Sequence, residues 1–450
     1  MSVVETTRTH AGRALRAVPG GWRGRLSLRT TPGRLRLALI GLVAACLAWG
    51  ALAGFTVSQY SSAAHGVVAT SEPLTLDAQQ IYHDLSDAND AAATAFLAGG
   101  LQPQPLVDRY DNDLAAAGKA IEKATALGGG SPALATLSAR LPVYAGEIGT
   151  ARADSRLGYP LGAAYLREAS TRVMNDQLLP AAQRLYTEDN AKLTSTSAQA
   201  TGLPLMLVTL AAALVLGYTL YRTSAWLSRR THRVLNPGLL IAAGAGVISL
   251  LWLAVVFTGA DLNLQAARSG GAVPVQALAQ ADITALQAHA DESLTLIDDT
   301  GDDSYQADYV TQLKRLGPGP GTELTAAQSA AAGSAAAADV NQAVRRAQAW
   351  NQAHAALRKT DDDGNHQYAV DSALGNPGPG VPPGATAGAQ FTALSTAMTR
   401  AISADQKAFS TSANAGGNMY TGLEAAIIVL SLAMAGGCAW GLSRRLMEYR

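Results

Sequence analysis

Four long apolar runs constrain this chain more than any other feature of its sequence. They begin at Leu37, Leu203, Gly238 and Gly422, and their only charged residue is Glu424, at the start of the fourth run. About 20 residues of helix cross a bilayer core that is about 30 Å thick. The sequence therefore predicts four transmembrane helices, TM1 to TM4, at 37–57, 203–221, 238–260 and 422–442.

The distribution of arginine predicts how these helices are oriented, because cytoplasmic loops of membrane proteins retain Lys and Arg. Arginine is concentrated in the N-terminal segment 1–36, the connector 222–237 and the tail 443–450. In contrast, 58–202 carries 15 acidic and 10 basic residues, and 261–421 carries 16 acidic and 9 basic ones. We expect a multi-pass protein of the cell membrane with both termini in the cytoplasm and two large extracytoplasmic segments.

One alternative concerns TM1. Ala51-Leu52-Ala53 has the small-x-small pattern of a signal-peptidase site, so TM1 could be a cleaved signal peptide. The apolar run continues through Phe55 and Val57 beyond that site. This continuation favours a retained helix.

The two long segments share a layout. KLTSTSAQATG at 192–202 and KAFSTSANAGG at 407–417 each run directly into an apolar run. Their equivalent positions indicate an internal duplication, in which each unit consists of a membrane helix, an outer segment and a second membrane helix.

Both long segments have helical periodicity. Apolar residues recur every three or four positions in each, a spacing that places them on one face of a helix. The first stripe is Ile81, Leu85, Ala88, Ala92 and Ala95, and the second is Ile283, Leu286, Ala290, Leu294 and Ile297. The predicted fold class is an all-α integral membrane protein with two extracytoplasmic antiparallel four-helix bundles, 58–202 and 261–421. The two cysteines fall in TM1 and TM4, so the bundles depend on helix packing rather than on disulfides.

Motifs of the common enzyme classes are missing from the sequence. It contains no phosphate loop, H-E-x-x-H or G-x-S-x-G motif, and its seven histidines lack metal-ligand spacing. We interpret His83 beside Asp84 as part of a solvated helix face, and the acidic pairs near Asp298 as solvated turns. A non-catalytic protein without cofactor, metal or nucleic-acid partner is expected.

An arginine-rich corner is the strongest candidate for a binding site in the long segments. The stretch ARADSRLGYPLGAAYLREASTR, 151–172, places four arginines around a Gly-Tyr-Pro turn in an otherwise acidic segment. Arginines between helices can hold a carboxylate through paired hydrogen bonds, and they can also form a docking surface for a protein. The alternative is that they neutralise neighbouring acids. The candidate residues are Arg152, Arg156, Tyr159, Arg167 and Arg172.

The connector is the corresponding candidate on the cytoplasmic side. Its arginines are explained first by topology and by attraction to anionic membrane lipid, and its tryptophan by anchoring at the interface. Docking of a soluble partner is the second interpretation. The candidate residues are Arg222, Trp226, Arg229, Arg230 and Arg233.

The duplicated layout, the arginine-rich connector and the corner ARADSRLGYPLGAAYLREAS together resemble the GlnX-like family of actinobacterial membrane proteins with four transmembrane helices. The likeness covers the topology of essentially the whole chain, and in sequence it is concentrated in 151–202. It implies a relay that passes an external amino-acid signal, in a glutamate- and glutamine-sensing pathway, from a solute-binding lipoprotein to a soluble Ser/Thr kinase, protein kinase G.

Two other functions fit the same layout. The chain could be a scaffold of the cell envelope or division machinery, or it could bind a small molecule directly as a receptor. Association into homo-oligomers is compatible with all three.

Overall fold

The computed structural model describes residues 31–66, 72–128, 130–159, 161–200, 203–231, 236–298, 303–317 and 319–447. Helices account for nearly all of these residues, and the described part of the chain contains no strand. The α-helices are α1 (Thr31–Gly66), α2 (Glu72–Leu97), α3 (Gln104–Gly128), α4 (Pro132–Arg156), α5 (Leu161–Glu168), α6 (Leu179–Ala200), α7 (Leu203–Thr231), α8 (Pro237–Ala267), α9 (Val273–Ile297), α10 (Ser304–Leu316), α11 (Glu323–Ala330), α12 (Ala337–Asp362), α13 (His366–Ala373), α14 (Ala387–Asn418) and α15 (Leu423–Met447). Two segments have the wider π-helical turn, π1 (Ala169–Leu178) and π2 (Arg268–Ala272).

The four predicted apolar runs lie in α1, α7, α8 and α15, and these four helices are long and apolar enough to cross a membrane. This confirms the all-α fold with four candidate membrane-spanning helices and indicates a multi-pass membrane protein. The third of these helices runs on through π2 and α9, so that it covers 61 residues from Pro237 to Ile297. Since about 20 residues cross a bilayer core, most of this helix is not needed for crossing.

The chain divides into two compact units. The first consists of Met1–Thr56, Pro204–Leu253 and Gly422–Arg450. Its helices approach closely where small residues meet: a Cβ atom built on Gly238 would lie 2.4 Å from the Gly437 carbonyl oxygen and 2.5 Å from the Gly441 Cα. Small residues at such positions allow membrane helices to pack backbone against backbone.

The second unit consists of Val57–Leu203 and Ala254–Thr421, and it therefore contains both long segments. Helix α2 packs against α3 and α6, and α9 packs against α10, α11 and α14. Helices α2 and α9 also pack on each other. Ile283, Ala290 and Leu294 of α9 accordingly belong to the same apolar core as Ile81 and Leu85 of α2. The apolar stripes of the two segments do not indicate this association.

The α2–α9 pair is parallel. Asp90 contacts His289, and Thr94 Oγ1 lies 3.2 Å from Ser293 Oγ, so residue numbers rise together along both helices. A parallel pair is what two copies of one unit produce when their first helices meet side by side. The arrangement agrees with the duplication indicated by the sequence.

Candidate functional site

Charged side chains occupy the centre of the second unit, where α2 meets α3 and α9. Arg109 of α3 donates from Nε to Asp87 Oδ2 at 3.0 Å and forms a second bond from Nη2 to the other Asp87 oxygen. The same Nη2 lies 3.3 Å from Asp90 Oδ2. Paired bonds of this kind are the strongest hydrogen bonds available to a guanidinium. Burial would raise the pKa of Asp87, but the Arg109 guanidinium outweighs burial and holds that pKa below its ordinary value.

The contacts continue from α2 into α9. Asp90, which is fully buried, pairs through Oδ1 with Nδ1 of His289. The His289 ring stacks on Phe391 of α14 with their centroids 3.7 Å apart and their planes nearly parallel. The aromatic face fixes the plane of the imidazole, and Asp90 fixes its rotation within that plane.

A second buried histidine extends the contacts to α12 and α10. Nδ1 of His354 lies 2.6 Å from Glu292 Oε2, and its Nε2 lies 3.2 Å from Gln306 Oε1. Tyr309 stacks on the His354 ring at 3.7 Å. Oε1 of Glu292 also lies 3.9 Å from Nε2 of His289, which is too far for a hydrogen bond but places the two histidine clusters next to each other. We call this set the buried network: Asp87, Asp90, Arg109, His289, Glu292 and His354.

Burying these charged groups costs free energy, so stability alone does not explain the buried network. Transfer of an ion from water to a protein interior costs several kcal/mol, and apolar residues of similar volume often stabilise as well or better. Groups whose burial and charged neighbours are arranged in this way concentrate at functional sites. The network links residues of both long segments, so a change in one segment alters the partners of the other.

A groove lies beside the network, between α2, α6, α9, α14 and the α8–π2 segment. Its volume is about 1350 Å³. Asp282 of α9 and His83 of α2 line it, and Oδ2 of Asp282 lies 3.0 Å from Nε2 of His83. Burial alone would lower the pKa of His83, but the hydrogen bonds to Asp282 and Asp84 outweigh it and hold the pKa well above its ordinary value. The carboxylates of Asp282 and Asp84 therefore favour the protonated form of His83.

This geometry corrects the interpretation of His83 and Asp84 as a solvated face. Asp84 is buried, and His83 bridges α2 and α9. The sequence places polar residues at three-residue intervals along α2, at 84, 87 and 90, beside the apolar stripe. That spacing was the available signal, although it identifies no partner. Asp298 is likewise not a solvated turn residue, because it lies 2.8 Å from Arg167 and its side chain is nearly buried.

The arginine corner is organised by two glycines. The chain turns after α4 at Gly158, whose φ of 74° is unfavourable for other residues. A Cβ atom on Gly162 would lie 2.9 Å from the Ala151 carbonyl oxygen, so α5 packs against α4 at van der Waals distance. Arg156 and Tyr159 are exposed at this turn.

The corner arginines have separate partners. Arg152 lies over the Tyr110 ring at 4.1 Å and 3.6 Å from Asp111, and its side chain is only 15% exposed. Its Nε and Nη2 are buried and have no hydrogen-bond partner among the described residues. Arg167 binds Asp298, and the exposed Arg172 lies 3.6 Å from Glu168. Arg152 is thus the corner residue with unused donors.

The connector residues are described in part. Arg222 and Arg229 are exposed on α7, and Trp226 is half-buried between them. Arg230 lies near the end of the same helix. Arg233 lies outside the described residues. The structure leaves their predicted role in partner binding as a prediction.

Comparison with known proteins adds one finding. No curated protein and no solved structure matches the chain. Residues 63–198, which include α2 to α5 and most of α6, match the family model of the actinobacterial sensor domain. That region contains Asp87, Asp90 and Arg109 of the buried network and the whole arginine corner. The match supports an actinobacterial sensor protein.

Proposed function

We propose that this protein is a non-catalytic transmembrane signal relay, in the manner of the GlnX-like family. Its long segments receive an extracytoplasmic amino-acid signal from a solute-binding lipoprotein, and its cytoplasmic connector passes the signal to a soluble Ser/Thr kinase. The match of 63–198 to a sensor domain carries the proposal. The four helices that can cross a membrane supply the connection between the two sides.

The buried network supports a relay because it joins the sensor-domain segment to the other long segment. Its α9 members, His289 and Glu292, belong to the helix that runs from Pro237 to Ile297 and also contains the third apolar run. Packed interfaces tend to switch between discrete arrangements rather than deform continuously. A partner that favours one arrangement of α2 against α9 would therefore act on a helix that enters the membrane.

The outer half of the relay is tested at the arginine corner. We expect Arg152→Ala with Arg156→Ala to abolish the kinase response to external amino acid, because Arg156 is exposed at the turn, where it would bind the partner, and Arg152 packs on Tyr110 beside it. Expression and membrane insertion are measured for Arg156→Ala alone as well, because the exposed Arg156 contributes about 0–1 kcal/mol to stability, whereas Arg152 is mostly buried against Tyr110 and its loss can cost more. Arg140→Ala, which removes an exposed arginine of α4 outside the corner, is the matched control. A full response in the double variant would contradict docking at this corner.

The inner half is tested at Arg229 and Arg230. Glu at both positions should prevent co-purification of the kinase, but this change also weakens lipid attraction and can alter topology. Lys at both positions retains the charge and removes the planar fork that binds carboxylates in a bidentate manner. Loss of kinase capture in the Lys variant, with topology intact, would support specific docking. Capture by the Lys variant and not by the Glu variant would leave only general electrostatic attraction.

Direct binding of a small molecule is the second candidate function, and the groove favours it. Small-molecule sites are commonly clefts of about 300–1,000 Å³ with a few convergent polar groups. The groove exceeds that range and has His83 and Asp282 on its wall. A direct receptor would respond to ligand without the lipoprotein, which reconstitution of the purified protein with the kinase alone can measure.

A further inference from the structure

The two cysteines of the chain contact each other inside the first unit. Cys46 belongs to α1 and Cys438 to α15, and the sequence contains no other cysteine. Their Sγ atoms lie 4.0 Å apart although 392 positions separate the two residues in the chain. Both are free thiols and both are fully buried. Two thiols in contact are the reactants from which a disulfide forms.

A second contact shows that α1 and α15 pack closely at this level. A Cβ atom built on Gly50 would overlap the side chain of Ser431. Gly50 lies one turn after Cys46, whereas Ser431 lies two turns before Cys438, so the two helices are antiparallel. Small residues at such positions allow membrane helices to approach closely. The two sulfur atoms therefore belong to neighbouring helices that hold them next to each other.

Packing alone does not explain why the two cysteines meet. A buried free cysteine behaves as a small apolar residue, and its reactivity usually distinguishes it from other residues of that size. Alanine and glycine are abundant in the four apolar runs and provide the same small volume. A cysteine that only fills space has no reason to face the other cysteine of the chain. The contact is what a covalent bond between α1 and α15 requires.

A metal ion is a poorer explanation for this pair. Structural metal sites with thiolate ligands commonly have four protein ligands. Among the residues that the structure describes, no group of three or more His, Cys, Asp or Glu could hold a metal ion. The two sulfur atoms are thus better suited to bond with each other than to share an ion.

An apolar pocket brings a lipid-soluble molecule close to the pair. Its volume is about 340 Å³, within the usual range for small-molecule sites. Trp49, one turn after Cys46, and Met434, one turn before Cys438, both line it. The remaining lining comes from α7 and α8 and is mostly apolar, with Leu216, Leu220, Leu239 and Leu250 among its residues. A flat apolar oxidant such as a quinone suits this lining better than a charged, water-soluble one.

We propose that Cys46 and Cys438 form a reversible disulfide across the α1–α15 interface, with a lipid-soluble quinone as the oxidant. Both S–H bonds break and one Sγ–Sγ bond forms, while the quinone takes up the two electrons and two protons and becomes a hydroquinone. The sulfur atoms must approach by about 2 Å to reach bonding distance, which is within the range of small helix shifts. The bond fixes α1 against α15, and its formation does not depend on the proposed relay.

The experiment uses the full-length reduced protein in lipid nanodiscs, with duroquinone as the oxidant. Its ring carbons are fully substituted, so the thiols have no open position to which they can add. After the reaction the chain is denatured, and a maleimide with a polyethylene glycol tag counts its free thiols on a gel. The untreated chain should carry two tags, the oxidised chain none, and dithiothreitol should restore both. Retention of both tags, loss that dithiothreitol does not reverse, or disulfide-linked dimers would overturn the proposal.

A matched variant tests whether the contact determines the reaction. Cys438→Ala combined with Gly436→Cys keeps one thiol in α1 and one in α15. No atom of the described residues lies within 4 Å of a Cβ atom on Gly436, so the second thiol faces away from Cys46. Quinone should oxidise this variant at least tenfold more slowly than the natural protein. Equal rates would mean that α1 and α15 do not hold the two cysteines together, and the proposal would be refuted.

A second pair of variants tests the pocket as the route of the oxidant. Gly217 lines the pocket and Gly244 of α8 does not, and a Cβ atom on either meets no atom of the described residues within 4 Å. Gly217→Leu fills part of the pocket and should slow oxidation by duroquinone several-fold, whereas Gly244→Leu should leave the rate unchanged. The same rate in both variants would refute the pocket as the place where the quinone reacts.

Discussion

Asp113 of α3 stands at the edge of the buried network, next to Asp87. Burial and the adjacent Asp87 carboxylate raise the pKa of Asp113 from an ordinary value of 3.8 to about 8. In the unfolded chain the group returns to its ordinary value. Between these two values the folded state holds a proton that the unfolded state has released. The free energy of unfolding therefore falls as the pH rises from about 4 to about 8.

Asp113→Asn should flatten this pH dependence, because an amide cannot ionise and keeps a donor for Asp87. The measurement is the thermal unfolding midpoint of the detergent-solubilised protein at several pH values between 5 and 8. His83 has a raised pKa as well, so its contribution is also lost as the pH rises, and a residual slope in the variant is expected. The same slope in the variant and the natural protein would mean that Asp113 is ionised throughout.

Arg109 offers a second test at the scale of single residues. Arg109→Met leaves Asp87 without its guanidinium, while Asp90 keeps His289. Breaking a fully buried pair costs about 3–5 kcal/mol, and the cost here is smaller because the Arg109 side chain is 33% exposed. We expect a correspondingly lower unfolding midpoint. Lys119→Met on the same helix, outside the network, is the control and should change the midpoint little. Equal midpoints for the two variants would show that the network contributes nothing to stability.

The residue scale is also where the sequence was least informative. The apolar stripes of α2 and α9 are largely buried, as their local pattern predicts, but burial extends round both helices to polar residues such as Asp90 and Asp282, which the stripes do not indicate. The charged positions between them, such as Asp90 and His289, are 199 residues apart in the chain. Their pairing depends on which helices meet, and nothing in the spacing of either residue indicates the other.

At the scale of elements, helices α8 and α15 of the first unit approach each other backbone to backbone. A Cβ atom on Gly437 would lie 2.8 Å from the Gly238 carbonyl oxygen, whereas no atom of the described residues lies within 4 Å of a Cβ atom on Gly436. Gly437 thus faces the backbone of α8, whereas the adjacent Gly436 faces open space. They form a matched pair for measuring how much the packing of α8 on α15 contributes.

Gly437→Ala should destabilise the protein by about 1–3 kcal/mol, the usual cost of overpacking, because neither backbone can move without loss of its neighbours. Gly436→Ala should be neutral. Both variants are compared by thermal unfolding in detergent. Equal stability of the two would mean that α8 and α15 are further apart than the structure has them.

The helices themselves were predictable because hydrophobic periodicity and length are local properties. The four apolar runs lie in α1, α7, α8 and α15, the helices that are long and apolar enough to cross a membrane. The parallel pairing of α2 with α9 was not predictable in the same way. Ile81 and Ile283 have the same local pattern whether the two segments form separate bundles or one shared core.

At the scale of the whole molecule, the two long segments form one compact unit although two membrane helices separate them in the chain. A duplicated unit gives a reason for this. Each copy begins its long segment with a helix that has an apolar stripe and buried carboxylates. Packing these two helices in parallel buries the stripes of both copies. The sensor-domain match covers only the first copy, while the network needs residues of both. The compact structural unit therefore extends beyond the matched region.

The orientation of the chain in the membrane is the remaining prediction at this scale, and it rests on the arginine distribution. In a background without Cys46 and Cys438, a single cysteine at Asp111 or Asp308 should react with a membrane-impermeant thiol reagent on intact cells. Both positions are exposed in the second unit, so a lack of access through burial would not explain a negative result. A cysteine at Thr231, at the end of α7, should react only after the cells are opened.

The two outcomes bear on function as well as on topology. If Asp111 and Asp308 label from outside, the buried network and the groove face the medium, and an external signal can reach them without crossing the membrane. If Thr231 alone labels on intact cells, the second unit is cytoplasmic, and the relay would have to run from inside to outside. In that case a lipoprotein outside could not dock on the arginine corner, and the proposed function would have to be abandoned together with the orientation.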